Sequence, residues 1–334
     1  MTIRNIDFGP IWDASGVRGF YGNGYWFHHW LRLLGLSFGN ERIGEVTFVA
    51  KTTTLLERPG NMPQAKDGVT PRDRFPACVV VKPLKGVALN AVGLSGPGAQ
   101  VLLDSGRWQA RTKPFFISFM PVGNTPEENN NEFRTFLEML TKRVAGFSAP
   151  FGLQLNVTCP NTGHDLEQTV AGAIGLLDVL AEFNPLWPCL VKVSADTSPV
   201  IAARIAEHDR CDGLVISNAI KFGLLPDKID WKGLFGSADA TKSPLASMGG
   251  GGLSGAPLLP LVEAWVKAIR CLGMTKHINA GGGILHPRDV ARLLDAGADS
   301  VFLGIIAMMR PWHMRGCIRT AFKKTWDPRP REKA

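Results

Sequence analysis

The sequence predicts an α/β chain, a (β/α)8 TIM barrel with long loops after strands 2 and 6. Three observations point there. Short β-rich runs alternate with stretches of helical spacing, the pattern of a parallel sheet joined by crossover helices. Eight such runs can be drawn, the number on which this barrel closes. The runs themselves are apolar, whereas lysines, amides, a thiol and glycines gather at their carboxyl ends.

In chain order the expected strands are Ile11–Ala14, Val46–Lys51, Phe115–Phe119, Leu153–Thr158, Leu190–Ser194, Leu214–Ser217, His277–Ala280 and Ser300–Gly304. The helices between them show themselves by i, i+3, i+4 spacing of apolar residues. A first has Phe27, Trp30, Leu31 and Leu34 as its core face. A second, opened by Pro126 and Glu127, carries Phe133, Phe136, Leu137 and Leu140. A third, ended by Gly273, carries Val262, Trp265, Val266 and Ile269. The last is opened by Pro287 and Asp289, carries Val290, Leu293 and Leu294, and ends at Gly297. Pro at the first turn and Gly after the last are the usual helix punctuation. Residues 52–114 and 218–260 are too long for plain links, so they are expected to cover a site or carry structure of their own. The whole, residues 1–334, is expected to be one domain.

Composition narrows the function. No apolar run reaches the roughly 18–20 residues that cross a bilayer, and the opening residues lack a secretory pattern, so a cytoplasmic protein with no membrane span is expected. The run YWFHHWLRLLGL could lie on a membrane surface, but it fits the inner face of a barrel helix equally well. Six scattered cysteines form no Cys-x-x-Cys pair, so no metal site is expected. The net charge of +8 is spread along the chain, which argues against a nucleic-acid partner and allows an anionic ligand.

The strand ends supply that ligand's surroundings. Ser15 and Gly16, Lys51, Ser118, Asn156 with Cys159 and Asn161, Lys192, Asn218, Gly282 and Gly283, and Gly304 would meet at one mouth of the barrel. Each alone has a plain structural role: lysines reach for solvent, amides cap, glycines turn. Two strand-end lysines flanking an Asn-x-x-Cys are better explained by an anionic ligand inside that mouth. The backbone N–H groups of GGGI, ahead of the helix at Pro287, suit a phosphate, and barrel phosphate sites fall after strands seven and eight.

NVTCPNTG, VKVS, ISNAI, GGLSGAPLLP and NAGGGILHPRDVARLLDAGADSVFLG, in that order, resemble the signature of dihydroorotate dehydrogenases, which are FMN-containing (β/α)8 barrels. The resemblance runs from DASGV at 13–17 to Gly304 and is nearest the soluble, cysteine-base branch. It implies oxidation of dihydroorotate to orotate in pyrimidine biosynthesis, with Cys159 removing the C5 proton while hydride passes from C6 to flavin N5. Lys51 matches a lysine close to both flavin and substrate, and Lys192 one beside the flavin N1 and O2 edge. Asn90, Gly93, Leu94, Asn156, Asn161 and Asn218 match the surroundings of the substrate pyrimidine. Ala14, Ser15, Gly16, Thr52, Asn90, Asn156, Ser217, Gly252, Gly255, Gly282, Gly283 and Gly304 fall where the family wraps FMN.

The sequence departs from the pattern at Ala219, where a small hydroxyl residue is usual, at Val92, and at Ile305, which replaces a threonine near the phosphate. Three other readings stay open: a dihydropyrimidine dehydrogenase-like enzyme, a dihydrouridine synthase-like enzyme, and a non-catalytic barrel that binds a phosphate-bearing ligand. The resemblance also leaves open a homodimer, and an electron acceptor such as fumarate or a separate electron-transfer subunit.

Overall fold

The computed structural model describes residues 1–36, 38–40, 44–157, 166–183 and 185–325, with the side chains of 39, 40, 44 and 166–169 outside that set. Its centre is eight parallel strands: β1 (Ile11–Asp13), β2 (Phe48–Val49), β3 (Phe115–Phe119), β4 (Phe151–Asn156), β5 (Cys189–Ser194), β6 (Gly213–Asn218), β7 (His277–Gly281) and β8 (Ser300–Leu303). From β2 onward each pairs with the next, and β8 pairs with β1. A parallel bridge between Trp12 and Thr47 closes the remaining seam, with the Asp13 N–H donating to the Thr47 carbonyl at 2.9 Å.

These are the eight expected runs with adjusted ends. The second is shorter than Val46–Lys51, although the Ala50 and Thr53 N–H groups still donate to the Phe116 and Ser118 carbonyls of β3. The fourth starts earlier, at Phe151, and Thr158, its expected end, lies outside the described residues.

The helices are α1 (Trp26–Leu33), α2 (Ala99–Asp104), α3 (Pro126–Thr141), α4 (Leu166–Phe183), α5 (Pro199–Glu207), α6 (Trp231–Phe235), α7 (Leu258–Cys271), α8 (Pro287–Asp295), α9 (Ile306–Met309) and α10 (Met314–Thr325). The expected faces of α3, α7 and α8 are all buried. Each large apolar side chain removed from water in this way contributes roughly 1.5–3 kcal/mol. Their starts are fixed by side chains that satisfy orphan N–H groups. Thr125 Oγ1 accepts from the Glu128 N–H at 3.1 Å, and the Glu128 carboxylate accepts from the Thr125 N–H at 3.3 Å. Asp289 Oδ2 likewise accepts from the N–H groups of Leu285 and His286.

Helix α1 corrects the expectation. Phe27 and Leu31 pack against the core and His28 is buried, but Trp30 and Leu34, expected on the same inner face, are exposed. The four do fall within about 100° of one another around the helix, but the core covers only the edge of that stripe carrying Phe27 and Leu31, and Leu34 is the cap residue just past the last turn.

The two long connections turn out to build one structure. Strands Val79–Lys82 and Val87–Asn90 from the first pair antiparallel, and Val87–Asn90 pairs with Gly252–Gly255 from the second, which in turn pairs with Ile220–Lys221. Behind this sheet lies its own apolar cluster, including Leu89, Phe222, Trp231, Leu245 and Leu253. Its other side forms a wall of the cavity at the barrel mouth.

Inside the barrel, Trp12, Val49, Phe116, Leu190, Val215 and Phe302 form a buried plug with Phe8 from the amino-terminal end. The Trp12 and Phe116 rings lie 4.6 Å apart, and His277 stacks on Trp12 at 5.4 Å. This filling leaves the carboxyl end of the strands as the place for a ligand.

Candidate active site

Above the plug the inward residues turn polar. Gln154 and Asn156 share one face of β4 by the two-residue period of a strand, and Lys192 of β5 stands opposite Asn156 in register. β6 ends in Ser217 and Asn218, and the Asn218 carboxamide donates to Asn156 Oδ1 at 2.6 Å. Since β5 separates β4 from β6, this bond crosses the barrel mouth.

The two lysines are held differently. Lys192 is buried, and among the described residues its ammonium has neither a carboxylate nor a hydrogen-bond acceptor. Burial alone pushes its pKa down to about 8. Lys51, just beyond β2, donates to the Ser95 carbonyl and stands over the Phe20 ring, 4.5 Å from its centroid. Burial lowers its pKa to about 7, against a smaller opposing effect of the Cys78 thiol. Beside it runs a chain of hydroxyls. Ser15 Oγ donates to the Ala50 carbonyl at 2.8 Å and lies 2.9 Å from Thr52 Oγ1, which lies 2.9 Å from Ser118 Oγ. The Tyr25 hydroxyl donates to the Gly16 carbonyl at 2.7 Å and fixes the turn after β1.

Glycine is required where the backbone closes on the cavity. At Gly283 (φ +81) an added Cβ would sit 2.7 Å from the Leu259 N and 2.8 Å from the Gly255 carbonyl oxygen. At Gly255 (φ +124) it would sit 2.2 Å from the Gly86 carbonyl oxygen. Both positive φ values are ones side chains resist.

These parts enclose a cavity of about 1130 Å³. Its lining includes Ala14, Ser15, Gly16, Lys51, Thr52, Asn90, Gly93, Leu94, Asn156, Lys192, Ser217, Asn218, Gly252, Gly255, Gly282, Gly283 and Gly304. Of the described strand-end candidates only Ser118 is not among them; it is fully buried behind Thr52. Cys159 and Asn161 lie outside the described residues. The lining also holds residues that sequence reasoning passed over, among them Tyr25, Met62, Arg72, Arg74 and Ile284. Tyr25 follows the glycine-rich YGNG, a signal that could have been used. Nothing in the local sequence marks Ser95 or Phe20 as partners of Lys51, because those contacts join distant segments.

A flavin mononucleotide fits these residues. The buried ammonium of Lys192 suits an electron-rich ring edge, and Gly282, Gly283 and Gly304 bring backbone to the cavity wall, where a phosphate can be received. The volume lies above the roughly 300–1,000 Å³ of ordinary ligand pockets, enough for a cofactor and a small substrate together.

Barrel and mouth together define an α/β-barrel protein with its ligand site at the carboxyl ends of the strands. The chain belongs to the dihydroorotate dehydrogenase family, whose sequence profile matches residues 2–312, and is an oxidoreductase of the dehydrogenase type. Solved structures agree on the fold. A ligand-free DHODH from Eimeria tenella superposes with a TM-score of 0.66 at 16% identity, covering 97% of this chain and 86% of that one. The DHODH from Eimeria tenella in complex with ferulenol gives 0.65 at 17% identity, covering 96% and 82%. No curated protein matches the chain by sequence.

Proposed function

We propose that this chain, as a single FMN-binding domain, oxidises dihydroorotate to orotate, with Cys159 as the base that removes the C5 proton. The observation that carries this is the meeting of Lys192, Lys51 and the bonded amides Asn156 and Asn218 around one cavity in a member of this family. Bound FMN would supply the hydride acceptor, its N5 taking the hydride from C6.

The chain's own residues do the rest. Lys192 would hold a positive charge at the N1 and O2 edge, although its burial lowers the pKa to about 8. Gly282, Gly283 and Gly304 would receive the phosphate, while Ala14, Ser15, Gly16, Thr52, Ser217, Gly252 and Gly255 would enclose the ring and ribityl chain. Asn90, Asn156, Asn161 and Asn218, with Gly93 and Leu94, would hold the pyrimidine, whose alternating N–H and C=O edges call for groups that both donate and accept. Lys51, at the same wall, would face flavin and substrate alike. Cys159 stands three residues beyond Asn156 in the sequence. A free thiol has a pKa near about 8.5, so proton removal is favoured on the alkaline side.

The test is anaerobic mixing of the FMN-loaded protein with dihydroorotate, dihydrouracil or a dihydrouridine-containing RNA while flavin absorbance is followed. Bleaching by dihydroorotate is expected. Bleaching by dihydrouracil alone or by the RNA alone would overturn the substrate, and a protein that takes up no FMN would overturn the mechanism.

A further inference from the structure

Gln154 shares the inward face of β4 with Asn156 but lies outside the lining of the cavity, and only 2% of it is exposed. Its surroundings are apolar. Leu190, in register with it on β5, belongs to the buried plug, as do Phe116 and Val215. A carboxamide set against such a plug is costly unless its oxygen accepts a hydrogen bond, and Oε1 of Gln154 has no partner among the described residues.

Most donors nearby are already spent. Ser118 of β3 is in register with Gln154, but its hydroxyl proton is committed. A carbonyl only accepts, so Ser15 donates to Ala50 at 2.8 Å, which leaves Thr52 to donate to Ser15 and Ser118 to donate to Thr52, both at 2.9 Å. Asn279, inward on β7, gives Nδ2 to Ser300 Oγ at 2.7 Å. Lys192 remains. It is the next inward residue after Leu190, so it stands diagonally from Gln154, one strand over by about 4.8 Å and about 6.6 Å further along. Its ammonium has three N–H groups and no acceptor among the described residues. Val215, in register with it on β6, offers none, and Oδ1 of Asn156, in register on β4, already takes the Asn218 carboxamide.

We propose that Gln154 is the positioning residue for Lys192: its carboxamide oxygen accepts from the ammonium and steadies that charge at the flavin edge. The flavin half of this statement rests on the function proposed above, whereas the pairing does not. A neutral acceptor suits the task, because it supports the charge without cancelling it, as a carboxylate in the same place would. The titratable groups facing the same interior from the neighbouring strands are Lys51 at the mouth, which donates to the Ser95 carbonyl, and His277 at the opposite end of β7. Neither is a carboxylate.

The pairing is tested by pH titration of Lys192 in the apoprotein, followed by NMR of 13C-labelled lysines, with its signal assigned from its loss in Lys192→Met. Removing the acceptor disfavours the charged form, so Gln154→Met should lower the midpoint by about one pH unit, a tenfold change in proton affinity, and Gln154→Glu should raise it. FMN titrated into the same proteins should begin to lose affinity at a lower pH in Gln154→Met and at a higher pH in Gln154→Glu. Both replacements keep the length of the side chain, and if the Met variant melts early the Glu variant decides alone. An unchanged Lys192 midpoint in a stably folded variant would overturn the pairing. A shifted midpoint with the FMN profile unmoved would overturn the positioning role. A protein that takes up no FMN would instead count against the proposed function, and the lysine titration would still decide the pairing.

Discussion

The carboxamide of Asn218 reaches across the barrel mouth to Oδ1 of Asn156, a bond of 2.6 Å that joins the ends of β6 and β4 with Lys192 on the strand between them. Two amides locked in this way present fixed donors and acceptors to a planar ring. Asn218→Ala would leave Asn156 without that partner as well as removing one substrate contact. A buried polar group left unsatisfied costs about 1–3 kcal/mol, so KM for dihydroorotate should rise roughly 5–150-fold while FMN stays bound. Steady-state kinetics beside a flavin-binding titration checks this, and an unchanged KM would remove the amide pair from substrate binding.

Lys192 links the site to pH. Its pKa in the folded protein, about 8, lies below the ordinary 10.5, so the folded protein releases this proton before the unfolded chain does. Burying the ammonium therefore opposes folding below pH 8, and that opposition fades as pH rises from about 8 toward 10.5. Ligand binding runs the other way. If FMN needs the charged form, its affinity should fall as pH rises through 8, by up to about tenfold per pH unit beyond it. Fluorescence titration of flavin into the apoprotein measures this. Lys192→Met should bind more weakly at pH 7 and lose the pH dependence in this range; a Met variant that kept the wild-type profile would show that another group titrates.

Lys51 ties the end of β2 to the long connection through the Ser95 carbonyl, with Phe20 beneath the ammonium. Lys51→Met keeps the length of the side chain and removes both interactions. Faster proteolytic cleavage within residues 52–114 and slower flavin reduction by dihydroorotate are expected together. Cleavage unchanged from wild type would mean that the antiparallel sheet alone holds that segment.

Much of this arrangement was legible in the sequence, and the exceptions share a cause. Runs such as FFISF and SVFL are largely apolar because a barrel strand is buried on both faces, so they stand out without knowledge of their partners. The helix faces with Phe133 or Val290 stand out because their outer sides are polar. α1 breaks that contrast, and spacing alone could not tell its core side from its exposed side. The sheet built by the two long connections was hidden because one of its two inner strands, Gly252–Gly255, lies in a glycine run that reads as loop and pairs with a segment more than 160 positions earlier. At the mouth, strand-end lysines, amides and glycines were visible, but the Ser15, Thr52 and Ser118 hydroxyl chain and the Lys51 contact to Ser95 exist only once distant segments meet.

Asp13 at the end of β1 gives a stability test away from the substrate. Its carboxylate is buried, and Arg18 Nε donates to Oδ2 at 2.6 Å. Burial raises its pKa to about 6, against the opposing pull of Arg18. A raised carboxyl pKa means that the folded protein binds this proton more tightly than the unfolded chain. Its contribution is therefore most favourable below pH 3.8 and is lost as pH rises through about 6. Arg18→Met removes the compensating charge and should cost about 3–5 kcal/mol at pH 7.5, less at pH 5 where the carboxyl is protonated. Thermal melts at the two pH values check the difference, and an equal loss at both would mean that Arg18 acts through its packing on Phe38 and Phe48 instead.

The most direct measurement is single-turnover reduction of bound FMN by dihydroorotate in Cys159→Ala and in wild type, mixed without oxygen at pH 7 and pH 9. With Cys159 as the base, the variant should retain its flavin but reduce it at least about a hundredfold more slowly, and the wild-type rate should rise with pH while the variant's does not. A variant that bleaches its flavin at the wild-type rate, or that shows the same rise with pH, would contradict the assignment.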